Sequence, residues 1–416
     1  MKRFSAFQLI REGLNGQRGW PQQWRKAEPR RRYDVIVVGG GGHGLATAYY
    51  LAKQHGIKNV AVLEKGWIGG GNSGRNTAVI RANYFYSSSA AFYGRSLELY
   101  RGLAKDLNYN IMFSPRGLLQ LAHSRHELEL MRRWYNAMRI NSVKAEWLDR
   151  GEIETLCPLL DCSAATRYPI LGGFLHPDGG IARHDAVVWA FARAADGLGV
   201  DIVENCSVEG LTMEAGRVVG VETSHGPIAA GHVSLAVTGN TAPLARDAGI
   251  ELPIECFPLQ AFVTEPVKPI LNLVVISGTV HAYVSQSDKG EIVVGAAMDG
   301  YSSRAQQGDP DVLENSVAAL LALFPAFGQL RMLRQWAGTV DVTPDRTPIM
   351  GLTPVEGLSI SAGWGTGGFK AIPAGGETMA ASIAAGHSHE LIAPFTLERF
   401  ASGRLIDEGI AASVAH

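Results

Sequence analysis

The stretch Tyr33-Asp-Val-Ile-Val-Val-Gly-Gly-Gly-Gly-His-Gly-Leu-Ala-Thr-Ala-Tyr-Tyr-Leu-Ala52, followed after a polar turn by Asn59-Val-Ala-Val-Leu-Glu64, decides how this chain folds. Tyr33–Val38 has the continuous, β-branched apolar character of a parallel strand buried on both faces. Gly39, Gly41 and Gly44 meet the G-x-G-x-x-G spacing, and the residues after Gly44 read as a helix. Each glycine serves a physical purpose, with a tight turn at Gly39, close backbone approach to a pyrophosphate at Gly41, and close helix–strand packing at Gly44. The helix start offers free N–H groups and partial positive charge to phosphates. Glu64, at the end of the second strand, can accept from both hydroxyls of a ribose and would repel a 2′-phosphate. The stretch therefore predicts a dinucleotide-binding unit.

The chain has 416 residues, which is long enough for this unit and a companion domain. A formal net charge of −1 argues against a general nucleic-acid binder. Cys157, Cys162, Cys206 and Cys256 show no C-x-x-C spacing, so no zinc site or disulfide framework is indicated and a reduced, cytoplasmic setting fits. No apolar run reaches the roughly 18 residues of a membrane span. Residues 1–32 are basic and carry Trp20 and Trp24; they predict an ordered arm docked on a partner or on the domain surface.

Beyond Glu64, the Gly-rich run from Lys65 to Arg81 offers permissive backbone suited to a flavin-contacting segment. Ser89–Leu107, His126–Ile140 and Val312–Phe324 have helical periodicity, and a further helix leads into a strand at Val200–Val203. Met112–Leu121 reads as two strands around a turn. Val208–Leu211, Arg217–Thr223, Pro227–Ala229 and Val233–Val237 read as a meander. Gln260–Thr264, Ala282–Gln286, Glu291–Ala296 and Leu333–Val342 read as strands of a sheet with one wet face. The expected fold is α/β: a Rossmann-like nucleotide-binding domain, interleaved with an α+β substrate domain on an antiparallel sheet. The expected division gives residues 33–110, 176–252 and 336–416 to the nucleotide domain, and 111–175 and 253–335 to the substrate domain.

Leu358-Ser-Ile-Ser-Ala-Gly-Trp-Gly-Thr-Gly-Gly-Phe-Lys370 repeats the strand, glycine-loop, helix layout of the beginning. Two such turns suit FAD, with the first at the adenosine end and Gly363, Gly365, Gly367 and Gly368 against the flavin ring. Lys370, in the first turn of a helix, is electrostatically misplaced, since the dipole prefers an anion there. That cost points to binding a carboxylate or phosphate. Arg81 is the natural second cation, able to grip a carboxylate with two parallel hydrogen bonds.

These runs, with Ala145-Glu-Trp-Leu, Gly180-Ile-Ala-Arg-His-Asp, Tyr283-Val-Ser-Gln and Ala393-Pro-Phe-Thr-Leu-Glu-Arg-Phe, strongly resemble the β subunits of heterotetrameric sarcosine oxidases over essentially the whole chain. The resemblance implies a flavin-dependent amine oxidase with an FAD-binding Rossmann-like domain of the D-amino-acid-oxidase type, which demethylates sarcosine, or a related secondary amino acid, at a non-covalent FAD. It also implies an FMN bound covalently to a histidine, with electrons passing to oxygen to give H2O2. It implies α, γ and δ partner subunits too, with tetrahydrofolate on the α subunit receiving the one-carbon unit, which is otherwise released as formaldehyde.

The motif assigns the FMN to His184; the residues alone leave His176 as a competitor. FAD contacts carry over by the same resemblance to Gly42, His43, Glu64, Asn72, Thr77, Val79, Val208, Gly365 and Gly368, and Lys370 as a ligand near the flavins. Two departures follow, the first excluding covalent attachment of FAD by the route of the monomeric relatives and the second bearing on the choice of amine. The strand Trp336-Ala-Gly-Thr-Val-Asp-Val-Thr-Pro-Asp345 lacks the cysteine through which monomeric relatives attach FAD. Tyr84-Phe-Tyr-Ser-Ser-Ser-Ala90 replaces a Trp-Asp-Glu-containing stretch. A dehydrogenase subunit for proline, hydroxyproline or an opine is the alternative.

Overall fold

The first strand, Arg32–Val38, sits inside an eight-stranded sheet because its side chains are apolar on both faces: Val35 and Val37 join one core, Ile36 and Val38 another. In this computed structural model, described for residues 5–20 and 22–411, the strand lies between Ile228–Leu235 and Val60–Leu63, parallel to both. Asp201–Val203 extends the parallel order on one side and Leu358–Ala362 on the other. Ile349–Leu352 closes that edge antiparallel, and the hairpin Val208–Glu214/Arg217–Thr223 pairs beside Ile228.

The second eight-stranded sheet runs Met332–Val342, Glu255–Pro266, Glu291–Met298, Ala282–Gln286, Val274–Ser277, Leu118–Ala122, Gly172–His176, Glu146–Leu148. Its pairs are antiparallel except Val274–Ser277 with Leu118–Ala122. Helix Pro310–Leu323 covers one face through Leu320 and Leu323, packed with Val284, Ile292 and Val294. The alternate residues Ala261, Tyr283 and Asp341 turn to the other side, toward the first sheet.

Two helices bring the ends of the chain together. Gly42–Gln54 and Gly368–Ala385 touch at backbone distance: a Cβ on Gly376 would stand 2.4 Å from the Ala46 Cβ, and one on Gly42 2.2 Å from Ile372 Cδ1. Pro373 lies inside the second helix and removes an N–H, freeing the Phe369 carbonyl. Tyr100 Oη donates to that carbonyl (2.7 Å), Ser96 Oγ donates to Lys370 O (2.6 Å) and His43 Nε2 donates to Gly368 O (2.8 Å). The first turn is thus held by side chains from two other helices, which fixes where its N-terminus points.

Several sequence expectations are corrected. Of Met112–Leu121, only Leu118–Ala122 is a strand; Met112 has φ +54° and Pro115 lacks a donor, so the first half contributes a single bridge, Ser114 to Ile181. The expected strands Pro227–Ala229 and Val233–Val237 are one, Ile228–Leu235, because Gly231 lies within it, close under Asp34 O. The helix after the first glycines begins at Gly42, not beyond Gly44. Gly172–His176 is a strand without a counterpart in the sequence expectations: its glycines look like turn residues, yet a Cβ on Gly173 would strike Gln120 O at 2.1 Å on the neighbouring strand.

The arm forms a helix, Ala6–Leu14, and then runs against residues 196–204. There Arg25 bonds Asp196 (2.7 Å), Arg30 pairs with Asp201 (2.8 Å) and Trp24 Nε1 donates to Glu204 (3.4 Å). Among the described residues, no helix is long and apolar enough to cross a membrane.

Candidate functional site

A cavity of about 890 Å³ lies between the two sheets, at the upper end of the size range for cofactor sites. Gly39, Gly41, Gly42, His43, Glu64, Asn72, Thr77, Val79, Arg81, Val208, Gly365, Gly368 and Lys370 all line it. Gly44 and His184 do not.

At one end the first glycine turn behaves as its spacing demands. Gly39 has φ +111°, a left-handed conformation that L side chains avoid. A Cβ on Gly41 would meet only Ser73 Oγ, at 3.3 Å, so the backbone there is open to a ligand. Gly44 is a packing residue, since its Cβ would lie 2.0 Å from Gly39 O. The helix from Gly42 carries no side-chain cap and no acidic residue in its first turn, which leaves its positive end to an anion. Glu64 accepts from Gly40 N (2.8 Å) and Gly66 N (2.9 Å), one bond per carboxylate oxygen, so each oxygen keeps a lone pair for a ribose hydroxyl. These residues fit the adenosine and pyrophosphate of FAD.

His43 does more than its place in the glycine run suggests. Its ring stacks on Trp364 (4.1 Å between centroids) and donates to Gly368 O, so it ties the first glycine turn to the last. Burial pushes its pKa down to about 4, and the Gly368 carbonyl only partly offsets this. The imidazole is therefore neutral near pH 7 and supplies no cation for phosphate. Asn72 is also partly structural: its amide bonds Thr339 on both sides, accepting from the N–H at 3.0 Å and donating to the carbonyl, and so clasps the second sheet to the Gly-rich segment. Val79 pairs with Ile181 in a short two-stranded sheet.

At the other end, Arg81 and Lys370 are both buried, 5% exposed each. Desolvation holds the Lys370 ammonium well below its ordinary pKa, and the nearby Arg81 charge adds to this. Lys370 Nζ donates to Thr366 O at 2.8 Å. Arg81 Nη1 donates to Asn83 Oδ1 (2.9 Å), Nη2 donates to Ala411 O (2.5 Å), and the guanidinium lies 4.7 Å above the Tyr84 ring.

Two further residues, to which sequence reasoning attached no role, stand here. Tyr283, on the second sheet, accepts a hydrogen bond at Oη from Thr77 Oγ1 (2.8 Å) and faces the cavity. In the sequence it is visible only as part of a motif. Asp341 closes the strand from Met332; its Oδ2 accepts from Gly363 N (2.6 Å) and its carbonyl from Gly365 N (2.9 Å), which shapes the last glycine turn. Burial raises its pKa to about 7 against those hydrogen bonds, and Oδ1 has no partner among the described residues. A carboxylate inside an apolar strand is the signal that could have found it.

His184 opens helix His184–Gly197 outside the cavity. Its ring has no hydrogen bond to another described residue, and desolvation lowers its pKa, with Asp185 opposing and Arg183 and Arg334 adding to the effect. His176 is different: Nδ1 donates to Lys144 O (2.8 Å) and Nε2 accepts from Ala82 N (3.3 Å), so both ring nitrogens are engaged in a residue only 1% exposed.

A family model described as FAD dependent oxidoreductase matches residues 34–382. The chain is 52% identical over 416 residues to the sarcosine oxidase subunit beta of Rhodobacter capsulatus, covering all of both chains. It is 50% identical over 393 residues to the Arthrobacter sp. sarcosine oxidase subunit beta, covering 94% of this chain and 97% of that one. Among solved structures, the L-proline dehydrogenase from P. horikoshii superposes with a TM-score of 0.84 at 29% identity, over 91% of this chain and 100% of that one. With two glycine turns, a ribose-ready carboxylate and a cavity sized for a dinucleotide, the chain belongs to the FAD-dependent oxidoreductase family and, within it, to the sarcosine oxidase β subunits, which are flavin-dependent amine oxidases.

Proposed function

We propose that this chain binds sarcosine and oxidises its N-methyl C–N bond, and that Arg81 and Lys370 hold the substrate carboxylate. One arrangement carries the reading: two buried basic side chains line the cavity together, and Lys370 Nζ is bonded to Thr366 O within the turn Gly363–Gly368. FAD, bound along the cavity, supplies a two-electron acceptor for the amine. The chain's own residues supply anchorage and proton control. Arg81 offers a carboxylate a planar fork of N–H donors, whereas Lys370 is pushed toward its neutral form and can take a proton at Nζ. As zwitterionic sarcosine enters, its ammonium proton passes to Lys370 Nζ. The amine lone pair is then free, and the new lysine charge pairs with the carboxylate. Burial of the site favours this neutral amine.

His184 is our site for covalent FMN, the exit toward oxygen with formation of H2O2. In support, its ring is uncommitted and Arg183 and Arg334 lie near enough to suit a phosphate, while the helix and strand involved expose Trp189, Met332 and Leu333. We further infer that α, γ and δ chains complete the assembly, with tetrahydrofolate on the α chain taking the one-carbon unit, or formaldehyde released. The relatives' designation as a subunit supports a multi-chain assembly.

Anaerobic addition of sarcosine to the purified complex should bleach the flavin bands; an unchanged spectrum defeats the proposal. Acid denaturation should leave yellow colour on the chain and an FMN-sized mass on the peptide with His184, both absent in His184→Ala. The likeness to L-proline dehydrogenase favours a second reading, oxidation of proline, hydroxyproline or an opine. Faster bleaching by one of these than by sarcosine would select it.

A further inference from the structure

The Arg81 guanidinium is held from outside the cavity by a segment near the far end of the chain. Residues Ile406–Ala411 follow the helix Glu398–Ser402, with Ile406, Glu408 and Ala411 buried. Two sequence motifs that touch neither cavity end anchor its start. Asp345, from Thr343-Pro-Asp345, forms a buried ion pair with Arg399, from the run ending Leu397-Glu-Arg-Phe400, at 2.7 Å; the side chains are 0% and 2% exposed. The same carboxylate accepts from Ile406 N (3.2 Å), and Thr347 Oγ1 donates to Ile406 O (2.6 Å).

The segment's middle holds the approach to a helix. Ser87–Asp106 begins without a side-chain cap of its own, and Glu408, from more than 300 residues away, binds the two residues that lead into it: Oε2 accepts from Phe85 N (2.7 Å) and Oε1 from Tyr86 N (3.1 Å). Those residues directly follow Asn83 and Tyr84, which touch the Arg81 guanidinium. The segment's end then meets Arg81 itself through the Ala411 carbonyl. Ala411 packs with Met131, Trp134 and Phe174, and Trp134 Nε1 donates to Asn83 O (2.8 Å). Arg81 makes no ion pair with a carboxylate among the described residues; Glu408 is close enough to act on it only through space.

We infer that Ile406–Ala411 is a positioning strap for the anion-binding end of the cavity. It fixes the Arg81 guanidinium through Ala411 O and Asn83, and leaves its remaining N–H groups to a small carboxylate. Glu408 is a positioning residue here and does not touch substrate. The inference rests on the reading of Arg81 as carboxylate anchor, and the test separates the two.

The experiment uses the intact flavin-loaded complex and acetate as a carboxylate probe, with the dissociation constant read from perturbation of the flavin absorption band. Three variants are compared: deletion of residues 410–416, which removes the Ala411 carbonyl; Glu408→Gln, which loses one of two backbone bonds; and Arg81→Lys. Loss of one hydrogen bond to a charged group predicts about tenfold weaker acetate binding in the deletion variant, with a parallel rise in KM for sarcosine and a smaller change in kcat. Glu408→Gln should shift the same way by less, with flavin content retained. If Arg81→Lys weakens acetate while the deletion and Glu408→Gln bind it as the parent does, the strap is wrong and the anchor reading stands. If Arg81→Lys also binds acetate normally, the anchor reading falls and takes the strap with it.

Discussion

Buried titratable residues set how this protein responds to pH, and two of them pull in opposite directions. Asp341 has its pKa raised from 3.8 to about 7 by burial, so the folded state holds a proton that the unfolded chain releases. Its contribution to stability is full below 3.8 and is lost as pH rises toward 7. Asp341→Asn, which keeps an acceptor for Gly363 N, should gain on the parent in thermal midpoint across that window and level off above it. His43 behaves inversely. Its pKa falls from 6.5 to about 4, so stability is lost as pH drops through that range. The parent should lose ground to His43→Gln between those values, since a glutamine amide can still donate to Gly368 O without charging. Parallel midpoint-versus-pH curves for parent and variants would sink both assignments. These roles were illegible in the sequence, because a histidine in a glycine-rich turn looks like a phosphate ligand until Trp364 and Gly368 are seen against it.

At the scale of elements, the contact of Gly42–Gln54 with Gly368–Ala385 is the sensitive one. A methyl at Gly376 would press on the Ala46 Cβ at 2.4 Å and its backbone carbon at 2.6 Å, where nothing flexible can yield. Gly376→Ala should therefore cost about 1–3 kcal/mol by overpacking. Gly197→Ala, whose Cβ meets nothing within 4 Å, is the matched control and should be neutral. Equal thermal midpoints for the two would remove the helix contact as the device that aligns both glycine turns. Long periodic elements such as Ser87–Asp106 and the apolar strands were legible because their burial is written as local pattern. Gly172–His176 was not, since its glycines answer to a neighbouring strand and not to a turn.

For the molecule as a whole, the cavity spans two sheets whose strands alternate along the chain, so a ligand filling it stabilises the folded state against the unfolded one. Ligand at a hundredfold excess over its dissociation constant adds about 2.7 kcal/mol. At roughly 1 °C per kcal/mol for a chain of 416 residues, FAD removal should lower the melting midpoint by about 3 °C, and readdition should restore it. Scanning calorimetry of stripped and reloaded protein checks this; identical midpoints would contradict a cofactor held between the sheets.

The amino-acid order alone determined the first strand, the glycine turn, the ribose-ready Glu64 and the second turn before Lys370, because each depends on residues close in the chain whose spacing is itself the geometry. Only the tertiary structure decided that the two turns share one cavity, that His176 is locked while the His184 ring is uncommitted, and that Arg81 is steadied by Glu408 and Ala411. Those facts come from packing between segments hundreds of residues apart. No local period or propensity encodes such a contact, because it forms only when the burial of two sheets has already fixed which surfaces meet.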